Sequence, residues 1–235
     1  MPSAKLIPAA NRLLAKLPRK DSQRFLDDCE LVELAFNEVL AEPGARVRQV
    51  YFPVGALISV ITVIKDSPSL EVGLVGDEGM CGSCLVLGVE TSPQYRLVQG
   101  AGRALRMKAT AFRRQLELST ALRRILNRYL HVLMCQLAQA AACTRYHLVE
   151  ARLARWLLMT QDRAHSSKFH ITHEFLAHTL GVRRTGITEA ATALHNRQFI
   201  NYYRGNIAIL DTHGLETAAC GCYAADLATY ARVMK

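Results

Sequence analysis

One stretch restricts the possible folds more than any other, residues 171–210, where two short helical patterns meet at a glycine. Thr172 is a good N-cap residue, and Glu174 lies in the following turn, where negative charge is favoured. A first helix is therefore predicted to end just before Gly181, which permits a tight left-handed turn. A second helix is predicted over about 183–197, with its apolar residues on one face.

The spacing of three residues around this turn is that of a helix-turn-helix. Ala177 lies four residues before Gly181 and lets the two helices approach closely, whereas Ile187 lies six residues after it and fixes the second helix in the core. The rest of that core is predicted to be Leu176, Leu180, Val182, Ala190, Ala191 and Leu194. Further along, FINYYR and NIAIL flank Gly205-Asn206 and predict a β-hairpin wing.

The polar face of the second helix is expected to enter a major groove by its N-terminal end. Arginine can read guanine through two hydrogen bonds, threonine can contact a phosphate or a thymine methyl, and glutamate can accept from cytosine. The candidate DNA-contacting residues are Thr172, His173, Arg183, Arg184, Thr185, Thr188, Glu189 and Thr192. An ordinary helical hairpin with surface arginines is the alternative.

The charge of the chain agrees with a polyanionic partner. The net charge is +9, from 29 Lys and Arg against 20 Asp and Glu. Residues 145–210 hold nine basic and four acidic side chains, a balance of +5, and residues 1–144 have the same balance over more than twice the length. The surplus is densest around the helix-turn-helix, which favours double-stranded DNA as the partner.

Targeting signals are not evident. No apolar run approaches the roughly 18 residues that a membrane helix needs, and the first twenty residues lack the continuous apolar block of a secretory signal. We therefore expect a cytoplasmic protein that does not contact a membrane. Its seven cysteines are then expected to be reduced.

The part of the chain before the helix-turn-helix is predicted to be a β-roll with helices on either side. LIPAANRLLAKL and SQRFLDDCELVELAF have helical apolar spacing, whereas residues 47–107 are rich in Val, Ile, Leu and Tyr, with Gly-rich corners. There is no α/β alternation, so the fold class is predicted to be α+β, with a jelly-roll-like N-terminal domain.

Residues 111–144 are predicted to form one long helix with two apolar faces. One seam has the 4-3-4-3 spacing of a coiled coil, and its residues are Leu126, Leu130, Leu133, Leu137 and Ala140. We expect one face to pack on the roll and this seam to form a homodimer, although an internal helix of a monomer is the alternative. The predicted domains are 1–110 for the β-roll, 111–144 for the dimerisation helix and 145–235 for the winged helix-turn-helix.

Over nearly its whole length the chain resembles the Crp-Fnr family of bacterial transcription regulators. The stretches YFPVGALISV and ITHEFLAHTLGVRRTGITEAATAL carry the resemblance. It implies an effector-binding β-roll, a dimerisation helix and a winged helix-turn-helix whose recognition surface includes residues 183–185, 188 and 189. It also implies double-stranded DNA and a second copy of the chain as partners, and makes RNA polymerase a further candidate.

The effector is less well defined by the resemblance. Family members that bind cyclic AMP use a Gly-Glu pair and, further on, Arg-Ser or Arg-Thr, whereas here Ser83 follows Gly82 and Ser92-Pro93 replaces the arginine pair. A buried phosphate would lack its strongest partner, so cyclic AMP is disfavoured. Arg96 could substitute, or it could point outward. The candidate effector-binding residues are Gly82, Ser83, Ser92 and Arg96, and the small-molecule effector is left unidentified.

The cysteines and histidines leave alternatives open. Cys81 and Cys84 form a CxxC that could be a thiol or metal switch, although two small buried residues are the favoured interpretation. Only Cys29 precedes them, so the N-terminal iron–sulfur cluster of one family branch is not expected. The other four cysteines, which show no ligand pattern, are Cys135, Cys143, Cys220 and Cys222. No metal and no cofactor is therefore predicted. Three neighbouring histidines are expected on a phosphate-facing surface: His170, His173 and His178.

No enzymatic motif is present among those sought, which were G-x-S-x-G, the P-loop, H-E-x-x-H and the dinucleotide fingerprint. A thiol oxidoreductase would need a βαβ context that is missing, and a cyclic-nucleotide adaptor without DNA binding would not need the exposed arginines. The sequence therefore predicts a non-enzymatic homodimeric regulator that binds a palindromic operator. A signal near residues 76–96 is expected to alter the packing of the helix over 111–144. This change would rotate the two DNA-binding domains about a hinge near 143–147.

Overall fold

The computed structural model describes residues 11–65 and 69–235. Two compact units are present, each built from separate stretches of the chain. The first takes its described residues from Met1–Ile61, Leu74–Leu133 and Val233–Lys235, and the second from Thr62–Gly73 and Met134–Arg232. Among the described residues, no helix has the length and the apolar composition needed to cross a bilayer.

The N-terminal region contains a 3-10 helix, Leu14–Lys16, and helix α1, Arg19–Asp27. The first predicted N-terminal helix lies partly outside the described residues. The second was predicted too long, because strand β1, Glu30–Leu34, begins where that helix was expected to continue. The segment ELVEL pairs antiparallel with the strand at residues 102–108. Strand β1 thus stands where the last turns of the predicted helix were expected.

The predicted β-roll consists of two antiparallel sheets. Its further strands are β2 (Val39–Ala41), β3 (Gln49–Pro53), β4 (Leu57–Thr62), β5 (Leu70–Val75), β6 (Tyr95–Gly100) and β7 (Gly102–Lys108). One sheet has the order β1-β7-β3 and the other has the order β2-β6-β4-β5. A 3-10 helix, Ser83–Leu87, lies between β5 and β6. The α+β class and the roll are therefore confirmed.

Residues from both sheets form one buried cluster, which contains Leu34, Tyr51, Ala56, Ile58, Val75, Cys81, Val98 and Ala104. A second apolar contact joins α1 to the sheet, because the ring of Phe25 packs edge-on against Phe52 with centroids 5.2 Å apart. Burial of large side chains thus fixes α1 on the roll.

The predicted helix over 111–144 is two helices rather than one. Helix α2 spans Ala109–Leu118 and helix α3 spans Thr120–Tyr146. The break falls at Ser119, whose backbone is extended (φ −128°, ψ 104°) and whose hydroxyl accepts a hydrogen bond from the amide of Leu122 at 3.0 Å. Serine competes for backbone amides in this way and so favours a new helix start over an uninterrupted helix.

The C-terminal elements form a separate core. They are α4 (Val149–Ala164), β8 (Lys168–His170), α5 (His173–Leu180), α6 (Arg184–Asn196), β9 (Ile200–Tyr203), β10 (Asn206–Ile209), α7 (Thr212–Ala218) and α8 (Cys222–Val233). Leu153, Trp156 and Leu157 of α4 are buried, as their helical spacing indicates. They join one cluster with Leu176, Ile187 and other apolar residues of α5, α6 and the wing strands.

Candidate nucleic-acid interface

Helix α5 and its corner follow the local chemistry of their sequence. The hydroxyl of Thr172 accepts a hydrogen bond from the amide of Phe175 at 3.1 Å, so Thr172 is the N-cap. Gly181 ends the helix in the left-handed region at φ +61°. The guanidinium of Arg152, which is buried, donates to the carbonyl of Leu180. This bond satisfies one carbonyl at the helix end and ties the corner to α4.

Helix α6 has one buried face and one exposed face. Ile187, Ala190, Ala191 and Leu194 are buried. The predicted DNA-contacting residues on this helix are all exposed, together with the residue before it, and they are Arg183, Arg184, Thr185, Thr188, Glu189 and Thr192. They cluster in the first two and a half turns. The helix therefore presents two guanidinium groups and three hydroxyl groups at its N-terminal end, where the helix dipole also favours phosphate.

His173 is half-buried, and its ring contacts residues of both α6 and β9. Its Nδ1 lies 3.0 Å from the hydroxyl oxygen of Thr188, and its ring stacks on Tyr202 with centroids 4.2 Å apart. The Nε2 atom is buried and has no hydrogen-bond partner in the described structure. Burial, followed by the nearby charge of Arg184, lowers the pKa of His173 below its usual 6.5. His173 thus helps to position α6 against β9.

The wing contains three strands, in the order β8-β10-β9. Its turn residues are Arg204 and Gly205, with φ of +46° and +81°, so the turn lies one residue earlier than the predicted Gly205-Asn206. Two successive positive φ values are those of a type I′ hairpin. Sequence reasoning missed β8, a three-residue strand too short to show a pattern, and it also missed the exposed Arg204 and Tyr203 at the wing tip. The wing tip could have been found from the Arg-Gly pair, which lies between two segments of alternating apolar and polar residues.

Residues 151–218 match the Crp-like helix-turn-helix domain. This segment is a Crp-like helix-turn-helix domain. It contains most of α4, the α5–α6 pair, the wing and α7, so the predicted family resemblance is confirmed. No curated protein matches the chain in sequence.

Solved structures extend the similarity to about four fifths of the chain. FixK2 from Bradyrhizobium japonicum is 11% identical, with a TM-score of 0.69 over 82% of this chain and 98% of that one. A CRP/FNR-family transcriptional regulator from Thermus thermophilus, TTHA1359, is 20% identical, with a TM-score of 0.67 over 81% and 98%. The c-di-GMP-responsive global regulator CLP from Xanthomonas campestris is 14% identical, with a TM-score of 0.65 over 82% and 99%. The chain therefore has the Crp/Fnr regulator fold, ending in a DNA-binding Crp-like domain.

The predicted effector residues lie at a cavity in the roll. The cavity has a volume of about 410 Å³, and Gly82, Ser92 and Arg96 line it, whereas Ser83 does not. Arg96 thus faces the cavity. Its guanidinium donates to the carbonyl of Tyr95 and to the side-chain oxygen of Gln94, each at 3.2 Å.

Two further arginines, Arg46 and Arg48, reach the same cavity, and Glu42 is the acidic residue in its lining. Arg46 is also held by Glu90, 2.7 Å from its guanidinium. Gly82 has φ +91°, and a Cβ there would lie 3.0 Å from the side chain of Val50. The left-handed backbone and the close approach of Val50 therefore both favour glycine at this position.

The CxxC pair lies partly in the core of the roll. Cys81 is buried and Cys84 is half-buried. Burial raises the pKa of the Cys81 thiol to about 11, and burial also raises the pKa of Cys84. Thiols that hold their protons at neutral pH are weak nucleophiles, which favours the packing interpretation over the redox switch.

The predicted dimer seam is only partly available on α3. Leu126 is fully buried within the protomer, so it is not free to meet a second chain. Leu130, Leu133 and Ala140 are half-buried, and Leu137 is 49% exposed. Met134 lies outside the predicted seam, but it is 68% exposed. The exposed apolar surface of α3 therefore lies mainly in the C-terminal half of the helix.

The structure brings together a donor cluster that the sequence analysis rejected. Cys143, His147, Cys220 and Cys222 have ligand atoms within 4.8 Å of one another, so the prediction of no ligand constellation was wrong for these residues. Cys135 does not belong to this group.

Two other histidines of the Crp-like domain, His170 and His178, have neighbours outside this group. The ring nitrogen of His170 lies 3.1 Å from the side-chain oxygen of Asn206, and that of His178 lies 3.5 Å from Glu174.

Proposed function

We propose that this protein is a homodimeric, sequence-specific transcription regulator that binds a palindromic operator under the control of a ligand in the β-roll. The observation that carries the proposal is the exposed N-terminal face of α6. Its residues include Arg184, Thr185 and Thr188, which match the edges that a major groove offers, and the opposite face of the helix is fixed in the core. A helix held in this way can present its side chains at defined positions.

The wing supplies a second contact of a different kind. Arg204 is exposed at the hairpin tip, and its guanidinium lies over the ring of Tyr203, 5.2 Å from the ring centroid. A charged tip on a short hairpin suits a contact to the phosphate backbone, which adds affinity without sequence discrimination. We therefore assign base recognition to the α6 face and a backbone contact to the wing tip.

The dimer follows from the apolar surface of α3. Leu130, Leu133, Met134 and Leu137 repeat along one side of the helix, and two of them are largely exposed. Two such helices side by side would bury this strip and relate the recognition helices by a twofold axis. Half-sites about 34 Å apart, one turn of the duplex, are then expected, with each half-site the inverted repeat of the other.

The cavity of the roll is the proposed effector site. Three arginines against one glutamate in its lining favour an anionic small molecule. Because CLP is described as responsive to c-di-GMP, a cyclic dinucleotide is one ligand to test beside the cyclic mononucleotides. RNA polymerase as a further partner rests on the family resemblance.

Selection of bound sites from random duplex DNA tests the proposal. The purified full-length chain would be used alone, with cyclic mononucleotides, with cyclic dinucleotides and with an oxidant. We expect an inverted repeat whose enrichment depends on an anionic ligand. Enrichment of a single unrepeated half-site by a monomeric protein would contradict the dimer, and no enrichment under any condition would contradict sequence-specific binding.

A further inference from the structure

Four potential metal ligands converge in the second unit, away from the α6 face and the wing. They are the thiols of Cys143, Cys220 and Cys222 and the imidazole of His147, with ligand atoms within 4.8 Å of one another. The sulfur atoms of Cys143 and Cys220 are 3.5 Å apart, and the sulfur of Cys222 lies 3.5 Å from Nδ1 of His147. Three cysteines and one histidine are a common donor set of structural zinc sites.

The distances suit one ion with four ligands. Zinc binds thiolate at about 2.3 Å and imidazole nitrogen at about 2.0–2.1 Å. A tetrahedron with these bond lengths places two sulfur atoms about 3.8 Å apart, and a sulfur and a nitrogen about 3.6 Å apart. The two 3.5 Å separations already match its edges. A borderline-soft ion that accepts tetrahedral sulfur and nitrogen, as Zn²⁺ does, fits best.

Two of the four ligands are positioned by the end of α3 and the other two by the start of α8. The amide of His147 donates to the carbonyl of Cys143 at 3.1 Å, so the two residues lie one helical turn apart on the same side of the end of α3. Cys220 precedes α8 and Cys222 is its first residue. The start of a helix stabilises a thiolate through its dipole.

The surroundings of the cluster also suit anionic sulfur. All three cysteines are buried, whereas His147 is exposed and leaves the group open to solvent on one side. The amide of Gln139 donates to the sulfur of Cys222 at 3.0 Å. Arg155, which forms an ion pair with Asp226, also places its positive charge near Cys143. Such outer contacts orient the ligands of metal sites and balance thiolate charge.

We propose that Cys143, His147, Cys220 and Cys222 bind one Zn²⁺ per chain. The three cysteines bind as thiolates and release their protons to solvent, and His147 binds through Nδ1. The ion cross-links the end of α3 to the start of α8, and the segment enclosed between these ligands contains the whole helix-turn-helix and wing. Zinc therefore stabilises the segment that leads from α3 into the Crp-like domain, where the sequence predicts a hinge.

Metal content and cobalt spectroscopy of the reduced full-length chain test this site. We expect about one zinc per chain as purified, and after exchange with Co²⁺ the visible absorption of a tetrahedral thiolate complex. Because His147 is exposed, its replacement is compatible with folding. His147→Ala is expected to weaken metal binding at least tenfold, whereas His147→Cys is expected to keep Co²⁺ and intensify the sulfur-to-cobalt absorption.

The matched control is Cys135→Ser, which removes a half-buried cysteine two turns earlier on α3. It is expected to keep one zinc per chain, whereas Cys143→Ser and Cys222→Ser lose it. Chelation should also lower the melting temperature of the wild type more than that of His147→Ala. A Cys143–Cys220 disulfide in the protein as isolated would overturn the proposal, as would Co²⁺ spectra without tetrahedral thiolate bands. None of these measurements depends on DNA binding.

Discussion

Nδ1 of His173, the first residue of α5, lies 3.0 Å from the hydroxyl oxygen of Thr188 on α6. The hydroxyl of Thr188 in turn donates to the carbonyl of Arg184 at 3.1 Å. Its oxygen is thus free to accept, so the imidazole carries its proton on Nδ1 and donates it to Thr188. A neutral histidine therefore joins the first helix of the motif to the recognition helix.

The stability of the Crp-like domain is expected to depend on the protonation of His173. Because burial and Arg184 lower the pKa of this residue in the folded chain, the unfolded chain binds its proton more tightly. Its contribution is fully present above the unfolded pKa of about 6.5 and is lost as pH falls towards the lower folded pKa. Urea unfolding between pH 5 and 8 should show a loss of free energy of unfolding below about pH 6.5.

His173→Phe is the test variant, because a phenyl ring keeps the stacking on Tyr202 and has no proton to bind. We expect lower stability at neutral pH, from the lost bond to Thr188, together with a shallower pH dependence. His213→Phe, which replaces a highly exposed histidine of α7, is the control and should keep the wild-type slope. An unchanged slope in His173→Phe would contradict the assignment.

The helix-turn-helix was predictable because its signals are local. The Thr172 cap, the Gly181 turn and the buried face containing Ile187 each depend on residues a few positions apart. The position of His173 was not predictable in this way. Its stacking partner, Tyr202, lies on β9, far from His173 in sequence, and no short-range pattern shows which side of the imidazole is covered.

Contacts between residues far apart in sequence also explain where the structure differs from the other predictions. The segment at 30–34 has enough leucine and glutamate to continue a helix, and its pairing with β7, more than sixty residues later, decides the strand. The metal-ligand group also combines distant residues, with Cys143 on α3 and Cys220 beyond the wing. A Cys-x₃-His on a helix and a Cys-x-Cys are each weak signals. Their chemistry becomes apparent only when the fold brings them together.

Replacement of Gly181 is expected to destabilise the chain. Gly181→Ala would place a Cβ 2.9 Å from the side chain of Leu70 in a backbone with φ +61°, so both the contact and the conformation are unfavourable. We expect a loss of about 1–3 kcal/mol in the free energy of unfolding, measured by urea denaturation. Gly186→Ala is the matched control, because nothing lies near its Cβ within α6, and it should stabilise by up to about 1 kcal/mol. Equal effects of the two variants would contradict the strained turn.

Arg184→Ala is expected to weaken operator binding by about 1–3 kcal/mol and to relax one base position in the selected sites. Arg184 is exposed at the first position of α6, so its loss should leave the free energy of unfolding nearly unchanged. Fluorescence anisotropy on the selected operator measures the affinity. Arg19→Ala, at the exposed start of α1, removes the same charge elsewhere and should change affinity only slightly. Equal losses in the two variants would mean that Arg184 contributes net charge alone.

The proposed dimer can be disrupted at Leu137. This residue is 49% exposed on α3, three positions after the more exposed Met134, so an arginine there meets solvent in the protomer and a desolvated apolar surface in the dimer. Leu137→Arg should therefore fold normally but have the mass of a single chain in light scattering. Operator affinity should fall at least tenfold, because each half-site is then bound alone. Leu118→Arg, at an exposed leucine at the end of α2, is the control and should remain dimeric. A dimeric Leu137→Arg protein would place the interface elsewhere.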